Sequence, residues 1–276
     1  MTLSVNTNSA ALIALQNLNA TQSSLTETQS EISTGLKVSA PQDNAAVWAI
    51  AQGQRADINA LDSVTQSLNR ATSVADVAST AGQSISDLLT QVKAKVVAAE
   101  DPSLNTSSRD ALNDDFKSLL SQINDVINNA SFDGANILNG SLTSGMQFLS
   151  NSDGSTSLTL TPINLGFNQG VITFPSTASI GTATAATNLM SSINTSLNNV
   201  DLALGQLGSQ QTAISSQVTF VGKLQDTLTT GVGNLVDANM AAESAKLQAL
   251  QVQQQLGVQA LSIANQAPQT ILSLFK

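Results

Sequence analysis

Residues 193–236 read "INTSLNNVDLALGQLGSQQTAISSQVTFVGKLQDTLTTGVGNLV" and contain the most regular pattern of the chain. Apolar side chains recur there at every seventh position: Ile193, Val200, Leu207, Ile214, Val221, Leu228 and Leu235. The alternate positions are also apolar, except where Gln211 and Gln225 interrupt them. An apolar seam sustained over this many heptads is typical of a coiled coil. The sequence therefore predicts one long helix from about residue 187 to residue 236.

An earlier segment repeats at the same step, so we predict that it is the partner of this helix. Its apolar positions include Leu61, Leu68, Ile85, Leu89 and Val92, and we assign these to the coiled-coil core together with the seven positions given above. Asp43 or Asn44 is the predicted N-cap. Asp101 is the predicted stop, because the residue before a proline resists the helical conformation.

A third helix and a small insert are predicted between these two long helices. Ser107 and Asp110 have the spacing of a capping box, and an amphipathic stripe follows them. Asn and Gly then cluster around residues 131–140, which is typical of a tight hairpin. Residues 141–187 are rich in Ser, Thr and Gly, and we predict a surface-exposed β-rich insert with a hairpin about Asp153–Gly154. The stretch "GVITFP" at residues 170–175 is a further candidate strand.

Both ends of the chain are predicted to be helices with more than one apolar face. Such helices need more than one neighbour, and two of them packed only on each other leave a face bare. The last residues are also strongly apolar, although a free terminus usually frays into water. We therefore predict that contacts between subunits are made by the apolar residues of both ends: Leu12, Leu15, Leu18, Leu25, Ile32, Leu256, Leu261, Ile263, Ile271, Leu272, Leu274 and Phe275.

Composition excludes several classes of function. The chain has 276 residues with 10 Lys and Arg against 19 Asp and Glu, a formal net charge of -9, so it is a poor match for nucleic acid or an anionic membrane surface. Cys is absent, which removes thiolate nucleophiles, and His is absent, which removes the commonest general base and transition-metal ligand. No phosphate-binding loop occurs. We predict no enzyme activity, no cofactor and no metal site, and we find neither a signal peptide nor a membrane span.

These elements predict a mainly α fold, in which long antiparallel coiled-coil helices form a rod and the terminal helices pair at one end. The predicted domains are a terminal-helix polymerisation domain at residues 1–44 and 237–276, a rod domain at 45–140 and 188–236, and the insert at 141–187. The insert is expected at the end of the rod opposite to the termini. A contact between copies that does not close on itself gives an open filament.

Motifs at both ends resemble those of bacterial flagellin. Residues 5–18 read "VNTNSAALIALQNL" and residues 31–51 read "EISTGLKVSAPQDNAAVWAIA", which is similar to the opening segments of that family. Residues 131–140, "SFDGANILNG", resemble its hairpin, and residues 259–276, "QALSIANQAPQTILSLFK", resemble its ending almost position for position. The insert has no such match.

The resemblance implies a secreted structural subunit that polymerises into the extracellular flagellar filament for motility. Its partners are then other copies of itself, paralogous flagellins, the type III flagellar export apparatus and a chaperone, and the filament cap and hook-junction proteins. Two alternatives remain open at this point. One is the hook–filament junction protein, which shares the terminal architecture. The other is a secreted coiled-coil adaptor or translocator, which is expected to form closed oligomers.

Overall fold

The structure, a computed structural model, describes residues 7–272, and the surroundings of side chains as far as residue 266. The predicted mainly α fold is confirmed. The described residues form five helices and one two-stranded sheet, in the order α1 (Ser9–Thr34), α2 (Ala45–Glu100), α3 (Thr106–Asn129), β1 (Met146–Leu149), β2 (Ser157–Leu160), α4 (Ala183–Val236) and α5 (Met240–Leu272).

The chain divides into two compact units. The terminal unit consists of Met1–Ala56 and Thr227–Lys276, and it contains α1 and α5. The central unit, Asp57–Asp226, contains α3, the sheet and most of α2 and α4.

In the central unit α2 and α4 run antiparallel, and three polar pairs fix their register. The Ser86 hydroxyl donates to Asp201 at 3.2 Å, while the amides of Gln211 and Gln225 donate to carboxylates of α2. The Gln211–Asp76 and Gln225–Asp62 distances are 2.9 Å and 2.6 Å. In all three pairs the two residue numbers add up to 287, so one register satisfies every pair.

Apolar side chains of both helices lie between these polar pairs. From α4, buried side chains are Ile193, Val200, Leu207, Ile214 and Val221, and from α2 they are Leu61, Leu68, Ile85, Leu89 and Val92. Towards the end of α4 the buried stripe leaves the seven-residue repeat. Leu228 is half-buried and Leu235, predicted to lie in the core, is 37% exposed, whereas Val232 and Val236 are buried. The reason is that seven residues fall about 20° short of two full turns of a straight helix, so the inward-facing positions drift.

Helix α3 runs antiparallel to α2 and is joined to it by polar contacts at its start. Lys95 of α2 donates to Asp115 at 2.6 Å. The buried Arg109 donates to the carbonyl of Ala99, in the last turn of α2, and to that of Asp101, the residue that follows the helix. It therefore satisfies acceptors that the end of a helix leaves without partners.

The predicted capping box of α3 is wrong. Asn105, not Ser107, is the N-cap, because its side-chain oxygen accepts from the Ser108 N–H at 2.8 Å. Helix α4 likewise begins at Ala183, a few residues before the predicted start, with the Thr182 side chain accepting from the Ala185 N–H.

The insert contains one of the two predicted β features. Strands β1 and β2 pair antiparallel about the turn that includes Gly154, as predicted. Residues 170–175 do not form a strand; Ile172 makes a single bridge with Phe167. The backbone there bonds to α4 side chains instead, since Thr173 N–H donates to the Ser196 hydroxyl at 2.9 Å and Asn199 donates to the Gly170 carbonyl at 3.2 Å.

The expected position of the insert needs correction, because it runs along the helices of the central unit. At its start, Leu149 N–H donates to the Ser67 hydroxyl, and Gln217 donates to the Ser150 carbonyl. Near its end, Ile180 N–H donates to Asn113 of α3. Its polar residues are largely exposed, but six apolar side chains join the core of the central unit: Phe148, Leu160, Leu165, Ile172, Phe174 and Ile180.

We predict that Asp76 and Gln211 are energetically coupled across the α2–α4 pair. Asp76→Ala and Gln211→Ala should each lower the free energy of unfolding by about 0.5–1.5 kcal/mol, because each removes a hydrogen bond to a charged group at an exposed site. The double variant should lose clearly less than the sum of the two. Urea denaturation followed by circular dichroism measures all three values. Asp114→Ala, an exposed substitution in α3, is the control: its effect on the free energy of unfolding should add to that of Gln211→Ala. If the effects of Asp76→Ala and Gln211→Ala also add up, the coupling is refuted.

Candidate assembly surface

In the terminal unit α1 and α5 pair antiparallel along their length. Near the start of α1, the Asn8 side chain donates to the Ala264 carbonyl at 2.7 Å. Further along, Gln254 donates to Gln22 at 2.5 Å. Between these contacts α5 has a glycine, Gly257, at which an added Cβ would lie 3.2 Å from a methyl carbon of Leu18. The absence of a side chain at this position therefore lets the two helices approach closely.

The inner ends of α1 and α5 are joined by backbone hydrogen bonds. Helix α1 ends at Gly35, whose positive φ of 72° suits a residue without a Cβ. The following chain pairs with the connection between α4 and α5: Lys37 N–H donates to the Val236 carbonyl at 2.7 Å, and Ala238 N–H donates to the Gly35 carbonyl at 2.9 Å. These bonds fix the position of the C-terminal end of α1 relative to the N-terminal end of α5.

The loop before α2 separates the roles of the two predicted capping residues. Asn44 is the cap, since its side-chain oxygen accepts from the Val47 N–H at 3.1 Å. Asp43 instead closes the loop by accepting from the N–H groups of Ala40 and Ser39 and from the Ser39 hydroxyl. The backbone bonds, that of Ala40 foremost, hold the pKa of Asp43 below its ordinary value.

The predicted contact residues of the terminal helices fall into three groups. Leu25 is buried between α1 and its neighbours, while Leu18, Ile32 and Leu261 are half-buried. A second group is exposed and consists of Leu12, Leu15, Leu256 and Ile263. Ile271 and Leu272 belong to α5, but their side chains lie outside the described residues, as Leu274 and Phe275 do entirely.

Sequence reasoning missed some of the exposed apolar surface. Ile13 and Val258 are also exposed. Ile13 lies on no apolar stripe of helical spacing, whereas Val258 shares a helical face with Leu250 and Leu261. In the sequence, the apolar run around Ile13 indicates its exposure, and the spacing to Leu250 and Leu261 indicates that of Val258. Within the described part of the terminal unit, the buried apolar side chains are few: Leu25, Val38, Ala51, Val232 and Val236. The unit thus exposes more large apolar side chains than it buries.

A cluster of three charged groups lies between α1 and α5. The Lys246 ammonium is 3.2 Å from Glu243 and 3.9 Å from Glu31. In each glutamate the oxygen nearest Lys246, Oε2, is buried. Burial raises the pKa of Glu31, and the facing Glu243 and nearby Glu27 raise it further, while Lys246 opposes them. The pKa of Lys246 is raised in turn, chiefly by its hydrogen bond to Glu243.

Features of other functional classes do not occur in the part of the chain that the structure describes. No described helix is long and apolar enough to cross a bilayer. Among residues 7–272 no group of three or more acidic side chains has the arrangement of a metal site. The described residues form a helical protein whose terminal helices present apolar surface to solvent.

Comparison with known proteins identifies the family. Residues 5–143 match the family model described as the bacterial flagellin N-terminal helical region, and residues 190–275 match the bacterial flagellin C-terminal helical region. Flagellin FljM of Caulobacter vibrioides is 50% identical over 277 residues, covering 99% of this chain and 98% of the relative. A flagellin of Brucella melitensis is 38% identical, covering 99% of both chains. The crystal structure of Bacillus cereus flagellin is 19% identical with a TM-score of 0.49, covering 56% of this chain and 88% of that one.

The chain therefore belongs to the bacterial flagellin family, a family of structural proteins. It is a subunit of the extracellular flagellar filament, as its sequence motifs predicted, and the two alternative functions are not favoured. Several flagellins of one organism are similar to it over nearly the whole chain, including FljM, FljO and FljJ of Caulobacter vibrioides. This supports assembly with copies of itself and with paralogous flagellins.

We predict that Glu31 titrates above the ordinary value of 4.5 and makes the α1–α5 pairing dependent on pH. Because its pKa is raised in the folded chain, the stabilisation is present below the ordinary value and is lost as the pH rises through the raised one. The chain has four glutamates, so carbon NMR of a sample labelled with ¹³C-glutamate can follow Glu31. The signal that disappears in the Glu31→Gln variant is assigned to Glu31. Lys246→Met should raise the Glu31 pKa further. A Glu31 titration at or below 4.5 would contradict this prediction.

Proposed function

We propose that the terminal unit drives polymerisation and lines the inner tube of the filament, while the central unit forms the surrounding shell. In this proposal residues 1–44 and 237–276 make the contacts between subunits, residues 45–140 and 188–236 form the rod, and residues 141–187 are the insert. The observation that carries the proposal is the exposure of large apolar side chains on helices that have hardly any core of their own. Exposed apolar surface of this kind is typical of a protein interface.

The distribution of charge supports the same assignment. The terminal unit has four Lys or Arg and five Asp or Glu side chains, so it is almost neutral. The central unit has six Lys or Arg and 14 Asp or Glu side chains, and thus carries nearly all of the net charge of -9. Surfaces that pack copy against copy avoid self-repulsion if they are neutral, whereas a strongly acidic surface favours solvation.

The energetic gain from the exposed residues is large enough to drive assembly. Burying one large aliphatic side chain contributes roughly 1.5–3 kcal/mol. The proposed contact set spans both terminal helices: Leu12, Leu15, Leu18, Leu25, Ile32, Leu256, Leu261, Ile263, Ile271, Leu272, Leu274 and Phe275. Leu25 is already buried within the subunit, so the gain comes chiefly from exposed members such as Leu12 and Leu256. Because the contact is heterologous and does not close, it repeats along an open helical polymer.

The proposal extends to the partners that a secreted filament subunit needs. We infer that the chain is exported by the flagellar type III apparatus with the help of a chaperone, and that it meets the filament cap and the hook-junction proteins. We propose that it works without catalysis and without a cofactor. The absence of His and Cys from the sequence supports this, because it removes the commonest general base and the thiolate nucleophile.

The test of the polymerisation surface compares the full chain with a chain truncated to residues 47–236. Each is purified, mixed with filament seeds and imaged by negative-stain electron microscopy, and circular dichroism checks that the truncated chain keeps its helices. We expect long helical filaments from the full chain alone, because the truncation removes α1 and α5. Filaments from the truncated chain, or closed oligomers from the full one, would overturn the proposal.

A single substitution tests the same surface without removing a helix. Leu256 of α5 is 63% exposed, and Leu202 of the central unit is 68% exposed, so Leu202→Ser is a matched control for Leu256→Ser. Leu256→Ser should raise the critical concentration for polymerisation about 10- to 100-fold, which corresponds to the loss of one buried leucine. Sedimentation of polymer at a series of protein concentrations measures this value. Equal effects of the two substitutions would mean that the terminal unit has no special part in assembly.

A further inference from the structure

An apolar groove lies where the start of α1 meets the last part of α5 for which side chains are described. Ala11, Leu12 and Leu15 line it from α1, and Leu261 lines it from α5. Leu12 is 62% exposed and Leu15 is 43% exposed, so the groove is open to solvent. It lies wholly within the terminal unit.

The chemistry of the groove selects an apolar occupant. No charged side chain is among its lining residues, and the polar ones are Thr7, Asn8 and Asn265. Asn8 is already engaged, because its amide donates to the Ala264 carbonyl and its oxygen accepts from the Ala11 N–H. An aliphatic or aromatic side chain therefore gains most by entering the groove, since its apolar surface leaves water there.

The end of the chain supplies such side chains, but within its own copy the backbone of the tail does not extend as far as Leu261 or Leu15, which form the apolar part of the groove. Its reach ends near Asn265, the polar outer end of the groove. Helix α5 continues to Leu272, and four residues follow it, among them Leu274 and Phe275. Leu261 lies 11 residues before Leu272, which is roughly 16 Å along the helix axis. Leu15 lies deeper still, because α1 and α5 are antiparallel. The Cα of Phe275 lies at most about 11 Å from that of Leu272 even when fully extended, and a chain that turns back reaches less.

We propose that the groove receives the apolar C-terminal tail, Leu274 and Phe275, of a second copy of this chain. The inference rests on the proposed role of the terminal unit in polymerisation and adds the pairing of surfaces: tail of one subunit, groove of the next. The two surfaces are different parts of the molecule, so the contact is heterologous and leaves a free groove and a free tail at its two ends. This is the condition for growth without closure.

Cysteine cross-linking tests the pairing directly, because the natural chain contains no Cys. Chains with Leu15→Cys are mixed with chains with Phe275→Cys, polymerised and oxidised with copper–phenanthroline in the presence of dissolved oxygen. Ile13→Cys is the matched control, since Ile13 is 60% exposed on the same helix but does not line the groove. Leu12→Cys with Leu274→Cys is a second, independent pair. If a variant polymerises poorly, an equal amount of unsubstituted chain carries it into filaments.

The expected result is a disulfide-linked dimer in filaments of the Leu15→Cys and Phe275→Cys mixture. Free subunits of the same mixture, and filaments of the Ile13→Cys and Phe275→Cys mixture, should not form this dimer. Filaments without this dimer would overturn the inference while leaving the proposed function intact. A cross-link within a single chain that carries both Leu15→Cys and Phe275→Cys would assign the groove to its own tail. A cross-link from Leu3→Cys to Leu15→Cys within one chain would assign it to the N-terminal residues. Failure of the unsubstituted chain to form filaments would instead refute the proposed function.

Discussion

The antiparallel register of α2 and α4 is the constraint on which the rest of the central unit depends. The two helices are each more than 50 residues long, and apolar seams built mostly from similar aliphatic side chains tolerate slippage. The three polar pairs remove this freedom, because a shift of either helix by one heptad separates all of them at once. Once the register is set, α4 side chains bind the insert: Gln217 donates to the Ser150 carbonyl, and Ser196 accepts from the Thr173 N–H.

The two units use the same residue types in opposite ways. In the central unit the aliphatic seams meet each other, and the insert closes the core with Phe148 and Phe174. In the terminal unit the helices pair through a few polar contacts and a close approach at Gly257, and most of their large apolar side chains remain exposed or half-buried. The first arrangement stabilises a single subunit. In the function proposed above, the second gains its stabilisation when further copies cover it, because a helix with more than one apolar face needs more than one neighbour.

How much could be predicted from the sequence depended on whether a feature was local and periodic. The long helices and the β1–β2 hairpin were predicted because their periods and turn residues are strong local signals. The predicted position of the insert was wrong, because its course is set by hydrogen bonds to side chains of distant segments, such as Ser67 and Asn113. Leu235 was misplaced because a strict seven-residue step ignores helical drift. The partners of Gln211 and Gln225 were missed, although Asp62 and Asp76 repeat the same spacing of 14 residues.

Polar contacts therefore have the same role in both units, with different consequences. Asp76–Gln211 in the central unit and Asn8–Ala264 in the terminal unit each contribute little to stability, but each permits one alignment of two helices. In the central unit that alignment positions a core. In the terminal unit it positions an exposed surface, including Leu12 and Leu15 beside Leu261. A polymer that adds subunits without closing needs the same surface geometry in every copy, because small errors accumulate along the filament. In the function proposed above, the fixed α1–α5 alignment supplies that geometry, while the exposed apolar side chains supply the free energy of association.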